Sequence, residues 1–134
     1  RFVHSYTNLE VMLMSSTSRS MAKRWIREGE QSVSLYPDNR WSAIGVVAKV
    51  DTGADRTSVD QEICEALGWP VVSERTIANA NGRSRRRIYN ASFEVNGSVF
   101  LDVEVTGSDR GHLSHLMLLG SDILQELLEI LEEE

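Results

Sequence analysis

The run Ala43-Ile44-Gly45-Val46-Val47-Ala48-Lys49-Val50 stops abruptly at Asp51-Thr52-Gly53-Ala54. A nearly unbroken apolar run of this length reads as a buried strand. The residues that follow can only be a turn, so an acid is delivered to a loop tip with little steric cover. Asp51 is the one side chain of the turn able to act as acid or base near neutral pH. Thr52 brings a hydroxyl that both donates and accepts. Gly53 lacks a Cβ, so another backbone or a substrate can come close. Two such acids held face to face share one proton and can activate water. By themselves the three letters fit an ordinary β-turn equally well.

The totals limit the alternatives. The chain has 134 residues, enough for one domain with its own core. Hydrophobic residues make up 41% and charged residues 25%, the balance of a globular protein in water. A net charge of −6 and the acidic Glu132-Glu133-Glu134 argue against nucleic acid or an anionic membrane as partner. No apolar window is long enough to span a bilayer. Arg1 stands first and no signal-peptide apolar core follows, so a fragment, a processed product and a trimmed chain all fit. The single Cys64 excludes an intrachain disulfide and suits a reducing, cytoplasmic setting. It lies in Gln61-Glu62-Ile63-Cys64-Glu65-Ala66-Leu67, a helical pattern whose acidic residues raise a thiol pKa. We read it as an inert small hydrophobe.

Residues 1–30 read as an N-terminal arm or leader. They carry a short helix with Met21, Ala22, Trp25 and Ile26 on one face, ended by Gly29, after a polar loop at Ser15-Ser16-Thr17-Ser18. Residues 31–134 form the domain proper. Strands are predicted from Ser32 to Tyr36, Ala43 to Val50, Val71 to Ala78, Arg85 to Val95, Ser98 to Thr106 and Leu116 to Leu119. Asn81-Gly82 and Asn96-Gly97 each fit a type I′ hairpin. Asp60 is expected to cap a short helix through Leu67. Ser121 is expected to cap a second, with Ile123, Leu124, Leu127, Leu128 and Leu131 on one side. The fold class is mostly β, a small closed β-barrel with short helices.

In order along the chain stand Val50-Asp51-Thr52-Gly53-Ala54-Asp55-Arg56-Thr57, the Asn81-Gly82 hairpin, and Leu118-Leu119-Gly120 leading into a helix. This arrangement resembles the retropepsin-like aspartic proteases over roughly residues 43–128. It is similar to retroviral-type proteases. With Asp109-Arg110 and Leu118-Leu119-Gly120-Ser121-Asp122 it looks closest to a bacterial group described as ATP-dependent zinc proteases and found beside ATP-grasp ligases. The resemblance implies an aspartic endopeptidase acting on peptide or protein substrates without a cofactor. Asp51 would be the catalytic acid/base, Thr52 would hydrogen-bond across a dimer, and Gly53 would line the cleft. Ala54 and Asp55 would meet the substrate, Asp55 helping to bind its backbone or anchoring the loop, with Ala80, Asn81 and Gly82 also substrate-binding at the tip of a flap-like hairpin. Leu118, Leu119 and Gly120 would pack under the loop and hold it flat. Ser108-Asp109-Arg110-Gly111 does not supply a second Asp-Thr-Gly, so a working site would need a homodimer. Many relatives carry an arginine where this chain has Ser121, paired with the acid equivalent to Asp55. Here Asp55 must find Arg56, Arg110 or the basic run, or the loop is held less firmly.

Arg83-Ser84-Arg85-Arg86-Arg87 is the one basic cluster. It reads as a solvated strand edge, as a guide for acidic peptides, or as a contact for the acidic tail from Glu129. No aromatic residue interleaves it, which disfavours nucleic acid. His112 and His115 lack the Cys or carboxylate set of a zinc site, so no metal is expected. Trp25, Trp41 and Trp69 read as core or interface anchors. The competing hypothesis is a non-catalytic module of the same fold that assembles with a peptide ligase.

Overall fold

The computed structural model describes residues 2–4, 29–39, 42–80 and 82–133. The predicted N-terminal helix, Trp25, Trp41 and Asn81 lie outside the described residues. The elements in chain order are β1 (Phe2–His4), β2 (Glu30–Leu35), β3 (Ile44–Val50), β4 (Ser58–Asp60), α1 (Gln61–Ala66) and β5 (Val71–Asn79). They continue with β6 (Gly82–Val95), β7 (Ser98–Ser108), β8 (Met117–Leu119) and α2 (Ser121–Glu133). The mostly-β expectation is met. Two short strands escaped it: β1, which pairs with β7 at Phe2↔Leu101, and β4.

One eight-stranded sheet runs β1-β7-β4-β8-β3-β2-β6-β5, with an additional β6–β7 ladder. What matters for the site is the place of β3. It pairs antiparallel with β2, from Glu30↔Lys49 to Leu35↔Ile44. On its other edge it pairs in parallel with β8, at Ala48↔Met117, Lys49↔Leu118 and Val50↔Leu119. Asp51 therefore leaves the sheet between two hydrogen-bonded neighbours. The apolar run is not buried on both faces, as its composition suggested. Ala48 and Val50 are buried, whereas Ile44 and Val47 are 44% and 51% exposed, because one face of β3 looks away from the core.

The core gathers Val33 and Leu35 of β2, Phe93 of β6 and Phe100 of β7 with Met117 and Leu119 of β8. The Phe93 and Phe100 rings stack with centroids 5.5 Å apart. Ile123, Leu124 and Leu127 bring α2 onto the same cluster, as the helical spacing predicted. Trp69 is buried, and its indole Nε1–H donates to the Tyr36 carbonyl at 2.7 Å. Cys64 is fully buried, and burial first, then the Asp60 charge, pushes its thiol up to about 12. That is the inert thiol expected.

Turn chemistry agrees with the sequence at one hairpin and shifts at the other. Asn96 and Gly97 have φ of 52° and 82°, the two positive values a type I′ turn needs. At the β5–β6 hairpin the ladder closes at Asn79↔Gly82, so Gly82 ends the strand instead of sitting inside the turn. Both predicted helix caps differ as well. Asp60 makes no cap bond; its carboxylate accepts the Arg110 N–H at 2.9 Å, a tertiary partner that outcompetes the local one. Ser121 is already the first residue of α2, and its N–H goes to the Ala54 carbonyl at 2.7 Å.

Tyr36 closes β2 against β6 by donating its hydroxyl to Glu94 at 2.6 Å. That bond to a carboxylate, with burial second, raises the phenol from its usual 10.0 to about 12. The folded state thus keeps a proton that the unfolded chain releases. Its stabilising effect is complete below pH 10 and is lost as pH climbs towards 12. Urea midpoints measured across this window should fall with pH. Tyr36→Phe should flatten the fall by up to one proton's slope, leaving the part due to Cys64 and Tyr89, whose pKa values are also raised.

Candidate active site

The Asp51 loop is built by hydrogen bonds on both flanks. The Val50 N–H donates to the Gly29 carbonyl at 2.8 Å, and the Asp51 N–H to the Leu119 carbonyl at 3.0 Å. The turn closes when the Ala54 N–H reaches the Asp51 carbonyl at 3.2 Å. Inside it the Gly53 N–H donates to Asp51 Oδ1 at 3.0 Å, which fixes the carboxylate over its own turn. Asp51 is half-buried, while Thr52 and Gly53 are exposed at the tip. The acid is thus held in place, and the surface beside it is open to a second molecule.

A second layer holds the exit of the loop. Thr57 is fully buried, and its N–H and Oγ1–H donate to the two carboxylate oxygens of Asp122 at 3.1 and 2.8 Å. The same Thr57 Oγ1 accepts the Gly120 N–H at 3.0 Å. A Cβ on Gly120 would lie 2.5 and 2.6 Å from the carbonyl carbon and oxygen of Arg56 and 2.9 Å from the Thr57 nitrogen. Only glycine lets β8 run this close to the loop. Thr57 and Asp122 were not singled out by sequence reading. They stand 65 positions apart, and the available signal was weak: a threonine after the turn and an acid in the first turn of α2.

Asp51, Thr52, Gly53, Ala54 and Asp55 share one loop, with Leu119 and Gly120 buried directly alongside and Leu118 half-buried in the adjacent strand. Ala80 and Gly82 stand at the far end of the β5–β6 hairpin, both exposed. Asp55 lines a cleft of about 610 Å³ with Arg56, Asp102, Val103, Glu104, Asp122 and Ile123. Asp51 is not part of that cleft. Asp55 has no ion-pair partner among the described residues. Arg56 turns to Glu104 at 3.9 Å, and the Arg110 guanidinium donates to the His115 carbonyl at 2.9 Å. The loop is tied to α2 through the Ser121 N–H, Thr57 and Asp122.

The basic run is split by strand alternation. Arg85 pairs with Glu74 at 2.7 Å and Arg87 with Glu65 at 3.4 Å, whereas Arg86 leaves the other face. His115 Nε2 lies 2.6 Å from Glu30 Oε2, and His112 lies 3.8 Å from Asp109. Among the described residues no group of three or more histidine, cysteine or acidic side chains is arranged to hold a metal ion. No helix among them is long and apolar enough to cross a membrane.

Strand order, the loop after β3 and the glycine that follows β8 belong to a retropepsin-like fold. The solution structure of Simian Foamy Virus (mac) protease aligns with a TM-score of 0.55 and 19% identity, over 75% of this chain and 96% of that one. A retropepsin-like aspartic protease from Rickettsia conorii aligns with a TM-score of 0.47 and 20% identity, over 75% of this chain and 73% of that one. The retroviral protease-like domain of Ddi1 from Leishmania major aligns with a TM-score of 0.44 and 18% identity, over 73% and 77%. Residues 44–126 match the family described as "gag-polyprotein putative aspartyl protease", and the chain belongs to that family. No curated protein matches it in sequence.

Proposed function

We propose that this chain is an aspartic endopeptidase that works as a homodimer, each copy contributing one Asp51. The observation that carries the reading is the held acid: Asp51 pinned by Leu119 behind and by the Gly53 N–H in front, at an exposed tip. Membership of an aspartyl protease family supports the hydrolase class. This sequence holds one Asp-Thr-Gly, and in this reading a second copy supplies the other carboxylate across a twofold axis. In the dimer the two carboxylates share a proton. One takes a proton from the attacking water while the other donates to the scissile carbonyl oxygen, and the roles reverse as the amine leaves. Thr52, exposed beside Asp51, offers a hydroxyl for bonding between the two loops. The β6–β7 ladder, which joins two strands otherwise separated in the sheet order, supports reading the sheet as curled into a small barrel of this type.

The test follows from the shared site. Cleavage of a peptide library per mole of chain should rise with protein concentration. Wild type mixed with a tenfold excess of Asp51→Asn should retain only about a tenth of its activity, because most wild-type chains then sit in mixed dimers. Activity that ignores the added variant would mean each chain works alone and would discard the dimeric site. The second reading, a non-catalytic module that assembles with a peptide ligase, draws on Ser121 and on an Asp55 without an ion-pair partner among the described residues. It requires that a demonstrated dimer cleave nothing from acidic to neutral pH.

A further inference from the structure

The β5–β6 hairpin carries the opposite charge to the rest of the molecule. Between Val71 and Ile88 stand five arginines and one glutamate, in a chain whose net charge is −6. Arg85 and Arg87 are engaged on one face by Glu74 and Glu65. The other face is different. There Arg75 and Arg86 are direct Cα partners in the ladder, so their side chains leave the sheet side by side. Like charges placed directly opposite each other destabilise an antiparallel pair. Nothing inside the described chain relieves this fully. Arg75 reaches only Glu104 Oε1, at 3.9 Å, and Arg56 reaches the same oxygen at the same distance. Both exceed hydrogen-bond length, so one carboxylate loosely serves two guanidinium groups. Arg86, half-buried, has no ion-pair partner among the described residues.

Position gives this excess a meaning. Arg56 belongs to the loop that begins at Asp51, and Arg75 belongs to the hairpin. Their shared contact at Glu104 joins the hairpin's arginine face to the Asp51 loop. We propose that Arg75 and Arg86 form a subsite for an acidic side chain of an extended peptide lying between the β5–β6 hairpin and the Asp51 loop. This substrate class rests on the proposed peptide-cleaving role of the loop. A carboxylate seated between two guanidinium forks accepts from both in the planar geometry arginine offers, and it cancels their repulsion. The acids of the neighbouring cleft do not compete equally. Asp122 is committed to Thr57, and Asp102 accepts from Asn90 at 3.1 Å. Asp55 and Glu104 remain, on the loop side and beside Arg56.

The experiment measures binding, so it does not depend on catalysis. Fluorescent decapeptide pools, each with glutamate, glutamine or lysine fixed at one position, are titrated into the Asp51→Asn protein by anisotropy. At one position the glutamate pool should bind about tenfold more tightly than the glutamine pool, and added salt should erode the difference. Arg86→Gln and Arg75→Gln should each abolish that preference while leaving the glutamine pool unchanged. Arg86→Gln should also leave Tm equal to or above that of the parent, since it removes the opposed charge. Equal binding of glutamate and glutamine pools at every position overturns the proposal. So does a preference that survives both variants, or a preference for lysine, which would give the role to the acidic cleft. Acid preference without cleavage by the wild type would remove the protease reading and leave the subsite. Cleavage by the wild type without acid preference would do the reverse.

Discussion

Asp51→Asn is expected to lower peptide hydrolysis by about 10²–10⁴-fold, the range associated with loss of a positioned general acid–base group, while the protein folds as before. The substitution keeps an oxygen where Gly53 N–H needs an acceptor at 3.0 Å, and it leaves the backbone bonds to Leu119 and Ala54 untouched. Urea unfolding should therefore move by no more than about 0.5 kcal/mol, as for a substitution that leaves packing intact. What asparagine cannot do is share a titrating proton with a partner carboxylate. Cleavage of a peptide library from pH 3 to pH 8, together with sedimentation to establish the dimer, decides the matter. Equal cleavage by wild type and variant would assign the activity to other residues or to a contaminant.

The second large effect is on stability. Gly120→Ala places a methyl 2.5 Å from a backbone carbon and 2.6 Å from a backbone oxygen of Arg56. A flexible side chain could swing away; the backbone of a loop held by Thr57 and Asp122 cannot. The expected cost is about 3 kcal/mol, the upper part of the overpacking range. Activity should fall further than the unfolded fraction explains, because relief of the clash pushes Arg56 and the Asp51 turn outward together. Gly53→Ala makes a useful comparison, since its Cβ would meet only the Asp51 side-chain oxygen, at 3.3 Å. It should cost less stability while still disturbing the acid. If Gly120→Ala unfolds at the wild-type urea concentration, the close approach of β8 to the loop is not required for the fold.

The parts of this molecule that were legible in the sequence are those set by neighbours along the chain. Asn96-Gly97 announced its turn because two adjacent residues tolerate positive φ. The stripe Ile123, Leu124 and Leu127 announced α2, and Val50-Asp51-Thr52-Gly53 announced a strand delivering an acid. The parts that were not legible depend on meetings between distant segments. Asp60 looked like a helix cap until Arg110 supplied a better donor. Thr57 and Asp122 carry no local pattern, and their bond exists only because β8 threads between β3 and β4. The arginine run looked uniform in sequence. Pairing with β5 divided it into two faces, one where Arg85 and Arg87 meet Glu74 and Glu65 and one where Arg86 stands opposite Arg75.

The loop that presents Asp51 also has a timetable. Its supports, Leu119, Gly120, Ser121 and Asp122, are translated long after it, at the end of β8 and the start of α2. A nascent chain that has already produced Asp51 therefore lacks the carbonyl, the glycine contact and the carboxylate that give the turn its shape. Contacts this far apart in sequence carry a loop-closure cost that slows their formation. The turn that carries the acid is therefore completed only once β8 and the first turn of α2 have joined it.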